Sequence, residues 1–291
     1  MPRKSFNHLE LAFIKHLARY GCGPSAVRKF RDLVYHNYNR YGRELPWRKT
    51  RDPYHILVSE IMLQQTQVDR VVSKYTEFIS AFPGFADLAD ASVQDILNVW
   101  QGMGYNRRVL YLKRIADTVM DSCNGTLPCS PGELVKLPGI GKATAASIAA
   151  FAFNRPVIFI ETNIRSVFIH YFFNDSCNVS DYELLPFLEK TLDRTNPCTW
   201  YNALMDLGTR LKAVHGNPSR RSRHHQVQRK FEGSRRQLRG KILKVLTRKQ
   251  SLSRSALATQ TGIPPAQLQD IITELEKEGF LHCTKSTIRL K

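Results

Sequence analysis

No apolar run in this chain of 291 residues approaches the roughly 18 that a membrane-spanning helix needs, which excludes an integral helical membrane protein. Acidic side chains are scarce. There are 25 Asp+Glu against 43 Lys+Arg, a formal charge of +18 and a pI near 9.8. An excess of that size calls for a polyanionic partner, most simply nucleic acid, with a membrane surface as the competing polyanion. Cysteine pairing is missing too. Cys22, Cys123, Cys129, Cys177, Cys198 and Cys283 are scattered, with no Cys-x-x-Cys, which argues against a disulfide frame or a zinc ribbon and suits reduced intracellular thiols. Met1–His8 has neither an apolar core nor a small-residue cleavage site, so no signal peptide is expected, and the chain is expected in the cytoplasm. Strand-like segments are few. Val157–Ile160 is too short and isolated to build a sheet. What is present is a globular composition, 42% hydrophobic and 23% charged, long enough for about two domains.

Helical periodicity dominates. Residues 10–46 carry apolar faces marked by Leu11, Phe13, Leu17, Val27, Phe30, Leu33 and Val34, and Leu45-Pro46-Trp47-Arg48 ends the stretch. Helices are then predicted over 54–65, 67–82, 92–100, 105–122, 131–137, 142–153, 163–173, 180–195 and 198–213. The breaks fall at Pro83-Gly84, Gly102-Met103-Gly104, Gly125 and Pro138–Gly141. A basic, poorly apolar connector follows over 215–236, with Arg220, Arg221, Arg223, Arg229, Lys230, Arg235 and Arg236 against a single Glu232. It reads equally as a solvated linker or as a DNA contact. Residues 237–291 form a separate winged-helix pattern: helices at 237–247 and 254–261, a third from Pro264-Pro265 to Gly279, and a hairpin around Lys285-Ser286. The third helix, in the recognition position, carries Asp270, Glu274, Glu276 and Glu278 against Lys277. That is a poor match to phosphate and favours a packing or protein-contact role.

The segment Ser130–Ala145 is the most specific signal. Ser130 with Glu133 makes a capping box, and Pro131 suits the first helical position. Pro138-Gly139-Ile140-Gly141 then joins two helices, and glycines there let the backbone approach another surface closely. The second helix opens with free N–H groups, an anion site that reads no base, beside the charge of Lys142. The segment resembles the helix–hairpin–helix of DNA repair proteins.

Two carboxylates stand in contrasting surroundings. Glu60 has Ile56, Leu57 and Leu63 as helical neighbours, so it projects from an apolar face. Burial there would raise its pKa and suit a general acid; the alternative is a glutamate at the edge of that face reaching water. Glu161 precedes the helix that opens with Asn163-Ile164, where the dipole favours the ionised form; the alternative is an ordinary N-terminal stabilising residue. Glycoside cleavage through an oxocarbenium-like state needs one carboxyl that donates a proton and one that stays negative.

Leu45–Arg48, Ser59–Gln67, Gly102–Tyr105, Leu137–Thr144 and Met205–Gly208 occur in the order seen in adenine DNA glycosylases of the MutY type, in the helix–hairpin–helix glycosylase superfamily. The resemblance covers roughly residues 25–212, and Glu60–Gln67 is specific for the adenine branch. It implies an all-α, two-domain glycosylase body with the active site between domains. The expected division is 1–52 with 164–214, a six-helix domain over 53–163 containing the hairpin, the connector 215–236 and the winged-helix unit 237–291.

By the same resemblance, Glu60 matches the glutamate that protonates N7 of the flipped adenine and handles the water, while Glu161 takes the place of the family's catalytic aspartate. The added methylene puts rate or pocket size in question. Asn163 matches a residue that positions the nucleophile. Trp47 and Arg48, with Asp206, match the adenine pocket. Gln65 with Thr66, and Tyr105 with Met103 beside it, match the groups inserted into the base stack, where they offset a few kcal/mol of extraction cost. Gly139, Gly141 and Lys142 match the phosphate anchor. For Trp47 and Tyr105 ordinary aromatic core is the alternative.

Three departures bear on the chemistry. Ala143 stands where bifunctional relatives carry a Schiff-base lysine, which favours a monofunctional hydrolase. Residues 208–233 contain no cysteine, so the family's iron–sulfur cluster is not expected and no cofactor is called for. The winged-helix unit replaces the family's usual 8-oxoguanine-sensing domain. The expectation is a monomeric, monofunctional enzyme that removes adenine mispaired with guanine or 8-oxoguanine in double-stranded DNA. A glycosylase for thymine or uracil opposite guanine, and a non-catalytic DNA-binding protein, are the rivals.

Overall fold

The computed structural model describes residues 8–173, 176–228, 230–249 and 251–291. The reading of Met1–Asn7, and Arg229 of the connector, lie outside the described residues. In chain order the elements are α1 (His8–Tyr20), α2 (Pro24–Tyr41), a 3₁₀ turn at Pro46–Arg48, α3 (Pro53–Leu63), α4 (Val68–Ala81), α5 (Phe85–Asp90), α6 (Val93–Val99), α7 (Arg107–Ser122), α8 (Pro131–Leu134), α9 (Lys142–Phe153), α10 (Thr162–Phe172), α11 (Asp181–Thr191) and α12 (Pro197–His215). A second 3₁₀ turn, Pro218–Arg221, precedes α13 (Arg235–Arg248), α14 (Arg254–Thr261), α15 (Pro265–Glu278) and the strands β1 (Leu281–Cys283) and β2 (Ile288–Leu290). No helix among the described residues is long and apolar enough to cross a membrane.

The chain folds as two compact units, residues 1–45 with 142–227 and residues 46–141 with 228–291. Both boundaries depart from the sequence expectation. The first division falls within the helical hairpin, because α9 is apolar on every side, with Ala145–Ala152 all buried, and packs on α12 of the first unit. The winged-helix residues do not stand apart, because α13 packs on α6 within the second unit.

In the first unit α10 and α12 form the spine, with α2 beside α12 and α1 beside α2. An aromatic cluster fills the interior. Phe30 meets Phe13, Phe168, Phe172 and Trp200, with ring centroids between 5.1 and 6.0 Å apart, a spacing that favours edge-to-face contact. The predicted helix over 10–46 is broken at 21–23, where Pro24 opens α2. The basic connector is not wholly a linker. Pro218, Ser219 and Ser222 are buried, and the Arg221 guanidinium donates to the carbonyls of Phe173 (2.7 Å) and Ile169 (3.2 Å) at the end of α10. An arginine thus satisfies carbonyls that a helix C-terminus leaves open.

In the second unit α3 is the central helix. Asp52 caps it by accepting the His55 N–H, Pro53 opens it, and Tyr54, Ile56–Ser59, Ile61 and Met62 are buried. The short α5 was not predicted. Its signal is Asp87, whose carboxylate accepts the Gly84 N–H at 2.9 Å. The hairpin pairs Leu281 with Leu290 and Cys283 with Ile288, antiparallel, and Leu252 adds a bridge to Ile288.

Glu274 and Glu278 of α15 are paired with arginines of the same unit. Glu278 is paired to Arg107 of α7 and to Arg239 of α13, and its backbone carbonyl accepts from Arg114. Glu274 accepts from Arg235 at 2.7 Å and Arg239 at 3.4 Å. The Arg235 hydrogen bond holds the Glu274 carboxyl low; for Glu278 burial pushes upward, but the two arginines outweigh it and leave the group lowered.

Candidate active site

The second unit carries the greater part of the predicted site. Glu60 sits in α3 among buried neighbours and is itself half-buried, between the two alternatives the sequence left open. One turn later the helix ends. Its C-terminal carbonyls would normally lack partners. They are taken by a residue that the motif reading missed, Arg108. Its Nη1 donates to the carbonyls of Ile61 (3.0 Å), Met62 (2.6 Å) and Gln64 (2.9 Å). Its Nη2 donates to the Thr66 hydroxyl (3.1 Å) and the carbonyls of Met103 (3.3 Å) and Gly104 (3.0 Å).

Arg108 is 4% exposed and lies over the Trp100 ring at 5.0 Å. Burial lowers its pKa to about 10, so it stays charged at neutral pH. A single guanidinium therefore ties the loop after α3 to the loop before α7. The available signal was an arginine three residues after Tyr105 inside the apolar stripe of α7, a place where a charge needs partners.

The two loops hold Gln65 at φ +54° and Tyr105 at φ +46°, left-handed conformations that non-glycine residues seldom adopt. Gln65 is exposed and Thr66 half-buried. Tyr105 is half-buried, its ring flanked by the guanidiniums of Arg108 (5.5 Å) and Arg236 (4.6 Å), and its hydroxyl bonded to Arg236 and Gln228. Met103 departs from the expectation. It is 1% exposed, part of the core rather than a group available for insertion, because its carbonyl is turned to Arg108 and its side chain inward. Trp47 is likewise core, 6% exposed and edge-on to Tyr75 at 5.4 Å, with the half-buried Arg48 following it.

At the hairpin, Gly139 has φ +77°, and a Cβ there would be driven into the ring of Tyr111, which explains the glycine. Its carbonyl accepts from the Gln64 side chain at 3.2 Å, joining the hairpin turn to the loop that carries Gln65. Gly141 has open space around its α-carbon.

The first unit carries the rest. Lys142 is exposed at the start of α9. Glu161 caps α10: Oε1 accepts the N–H groups of Asn163 (2.7 Å) and Ile164 (2.8 Å), and Oε2 accepts from Asn163 Nδ2 (3.2 Å). Asn163 Oδ1 in turn accepts from Lys212 Nζ at 2.8 Å. The bonds on both sides fix which way the Asn163 amide faces. Lys212 is a second residue that the motif reading did not find.

At Glu161 the helix-end preference for the ionised form is opposed by the loss of water. Burial pushes its carboxyl upward, against the two backbone N–H groups and the Lys212 charge. Lys212 is lowered by the same loss of water, with Glu161 opposing that shift. Gly208 allows the approach of α12 to this cap, since a Cβ there would collide with the Asn163 carbonyl. Asp206 is 4% exposed and holds Arg43, accepting its backbone N–H at 2.8 Å and its Nε at 2.6 Å. That pairing accounts for its burial without a base.

Residues 58–184 match the family described as HhH-GPD superfamily base excision DNA repair protein, and residues 235–281 match winged helix-turn-helix DNA-binding. Among proteins of known name, the chain is 38% identical over 194 residues to an adenine DNA glycosylase of Buchnera aphidicola subsp. Baizongia pistaciae, covering 65% of this chain and 54% of that protein. It is 36% identical over 141 residues to a thymine/uracil-DNA glycosylase of Pyrobaculum aerophilum, covering 48% and 61%. A solved thermostable thymine-DNA glycosylase superposes with a TM-score of 0.54 at 29% identity, over 62% of this chain and 85% of that one. Over residues 58–184 the chain is thus similar to the HhH-GPD superfamily of base excision DNA repair proteins, and adenine DNA glycosylases are among its relatives. The chain spans about half the length of the curated adenine glycosylases it matches.

Proposed function

We propose that this chain is a monofunctional DNA glycosylase that hydrolyses the N-glycosidic bond of adenine mispaired with guanine or 8-oxoguanine in duplex DNA. The observation that carries the reading is Glu60, a carboxyl held half-buried among the buried apolar residues of α3, one turn ahead of the Arg108-pinned loop that presents Gln65. The adenine-branch run Glu60–Gln67 and the names of the relatives support it.

In the proposed reaction protonated Glu60 gives its proton to N7 of the purine, the C1′–N9 bond breaks with its electron pair going to the base, and ionised Glu161 offsets the positive sugar. Water adds at C1′ and returns a proton to Glu60, leaving free adenine and an abasic site. Asn163 and Lys212 hold the Glu161 carboxylate for this step, and Gly139, Gly141 and Lys142 anchor phosphate. The proposal needs no cofactor: residues 208–233 supply no cysteine for an iron–sulfur cluster. It places a monomer on cytoplasmic DNA.

A panel of duplexes with adenine, thymine or uracil opposite guanine, and adenine opposite 8-oxoguanine, tests the reading. Alkali-dependent cleavage at adenine is expected. Glu60→Gln is expected to lower excision by at least about 10²-fold while duplex binding persists. Strand scission without alkali would contradict a monofunctional enzyme. Release of thymine or uracil instead would establish the second reading, which the thymine/uracil relative and the thymine-DNA glycosylase structure favour.

A further inference from the structure

Three metal-ligating side chains converge from three helices at the end of α10 remote from Glu161. Glu10 lies in the first turn of α1, His170 in the last turn of α10, and His215 closes α12. One donor atom from each lies within 4.8 Å of the other two, and His170 Nε2 is 3.7 Å from Glu10 Oε1. The two imidazoles stand 5.0 Å apart with their planes inclined by 33°. The His170 and Glu10 side chains are only 14% and 13% exposed, whereas His215 is on the surface.

A tetrahedral zinc ion with bonds near 2.0–2.1 Å would set its donors about 3.3 Å apart. Reaching that spacing takes a contraction of the group, and His215, its exposed member, lies at the end of α12. Two imidazole nitrogens and a carboxylate oxygen form a borderline donor set suited to zinc, with the fourth position left to water. The Tyr171 hydroxyl donates to Glu10 Oε1 at 2.7 Å, so the carboxylate already has the outer hydrogen bond that orients a metal ligand.

We propose that Glu10, His170 and His215 bind one divalent cation of the zinc class and fasten α1, α10 and α12 together. The ion takes no part in base release. Its site lies about 14 Å along α10 from the Glu161 cap, so occupancy steadies the helix that carries that cap.

The test uses the untagged full chain, reduced and stripped of metal, titrated with zinc chloride and separately with cobalt chloride. One equivalent is expected to bind, cobalt is expected to give the intense visible bands of a four-coordinate site, and the unfolding midpoint is expected to rise with free zinc. Tyr171→Phe removes only the outer hydrogen bond and is expected to weaken zinc about 10–100-fold. Glu10→Gln and the surface change His215→Asn are expected to weaken it further and to erase the midpoint shift. The proposal is overturned if no saturable single equivalent binds, which would leave a His170–Glu10 ion pair alone. It is equally overturned if Glu10→Gln and folded His215→Asn bind zinc as tightly as the parent, which would assign the ion to the thiols or to His224 and His225.

Discussion

At residue 161 a carboxylate accepts two backbone hydrogen bonds while the surrounding protein strips it of water. Because its folded pKa lies above the unfolded value, its contribution to stability is complete below the ordinary carboxylate range and is lost as pH rises through the folded pKa. Glu161→Gln removes the charge and keeps an oxygen for the cap. Thermal unfolding of this variant across pH is therefore expected to show a growing advantage over the parent as pH rises. Under the proposed function, excision by the same variant is expected to fall, because the neutral amide cannot offset a sugar cation. In the parent, the acid limb of the excision rate should lie above the usual carboxylate range, since Glu161 must lose its proton first.

Arg108 is the other decisive residue. Arg108→Met strands several carbonyls at the end of α3 and is expected to cost about 3 kcal/mol or more in denaturant unfolding. Glu60 and Glu161 were singled out in the sequence through the family resemblance. Arg108 and Lys212 were not, because their partners are backbone or side-chain groups brought near only by tertiary folding. Met103 was misread for the same reason, since adjacency in sequence to Tyr105 does not say which side chain turns inward.

Helix periods and capping signals marked most elements within a few residues, as at α9 and α14, where apolar spacing and glycine or serine punctuation agree. The failures are short or composite. The six-residue α5 has too few positions to show a period, and the connector's arginines conceal the buried turn at 218–222 behind a polar composition. The packing of α10 on α12 depends on Gly208. Gly208→Ala is expected to cost about 1–3 kcal/mol by overpacking and to depress excision further, because the clash falls on Asn163. The expected packing role of α15 has a physical basis in its ion pairs to Arg107, Arg235 and Arg239, which match Glu274 and Glu278 with arginines of their own unit.

For the molecule as a whole, the surplus of 18 positive charges was legible from composition and suits a duplex ligand; the division into units was not. Where a chain is cut depends on which faces bury each other, and α13 lies against α6 with Gln101 bonded to Thr247 at 3.3 Å. Truncation after residue 233 is therefore expected to destabilise what remains of the second unit, seen as a lower unfolding midpoint and more aggregation, instead of releasing an independent domain. A truncated chain with an unchanged midpoint would mean that the winged-helix residues contribute nothing to the second unit.

Gln65 and Tyr105 both occupy backbone states that side chains ordinarily avoid, at about 1–2 kcal/mol each, and both neighbourhoods hang on the same buried cation. Folding settles that cost in advance. Under the proposed function, a duplex meets two probes already cocked, and little further ordering is charged to the encounter. Loosening the cation would blunt both probes together, so tolerance to change at either tip is set by a side chain that no ligand touches.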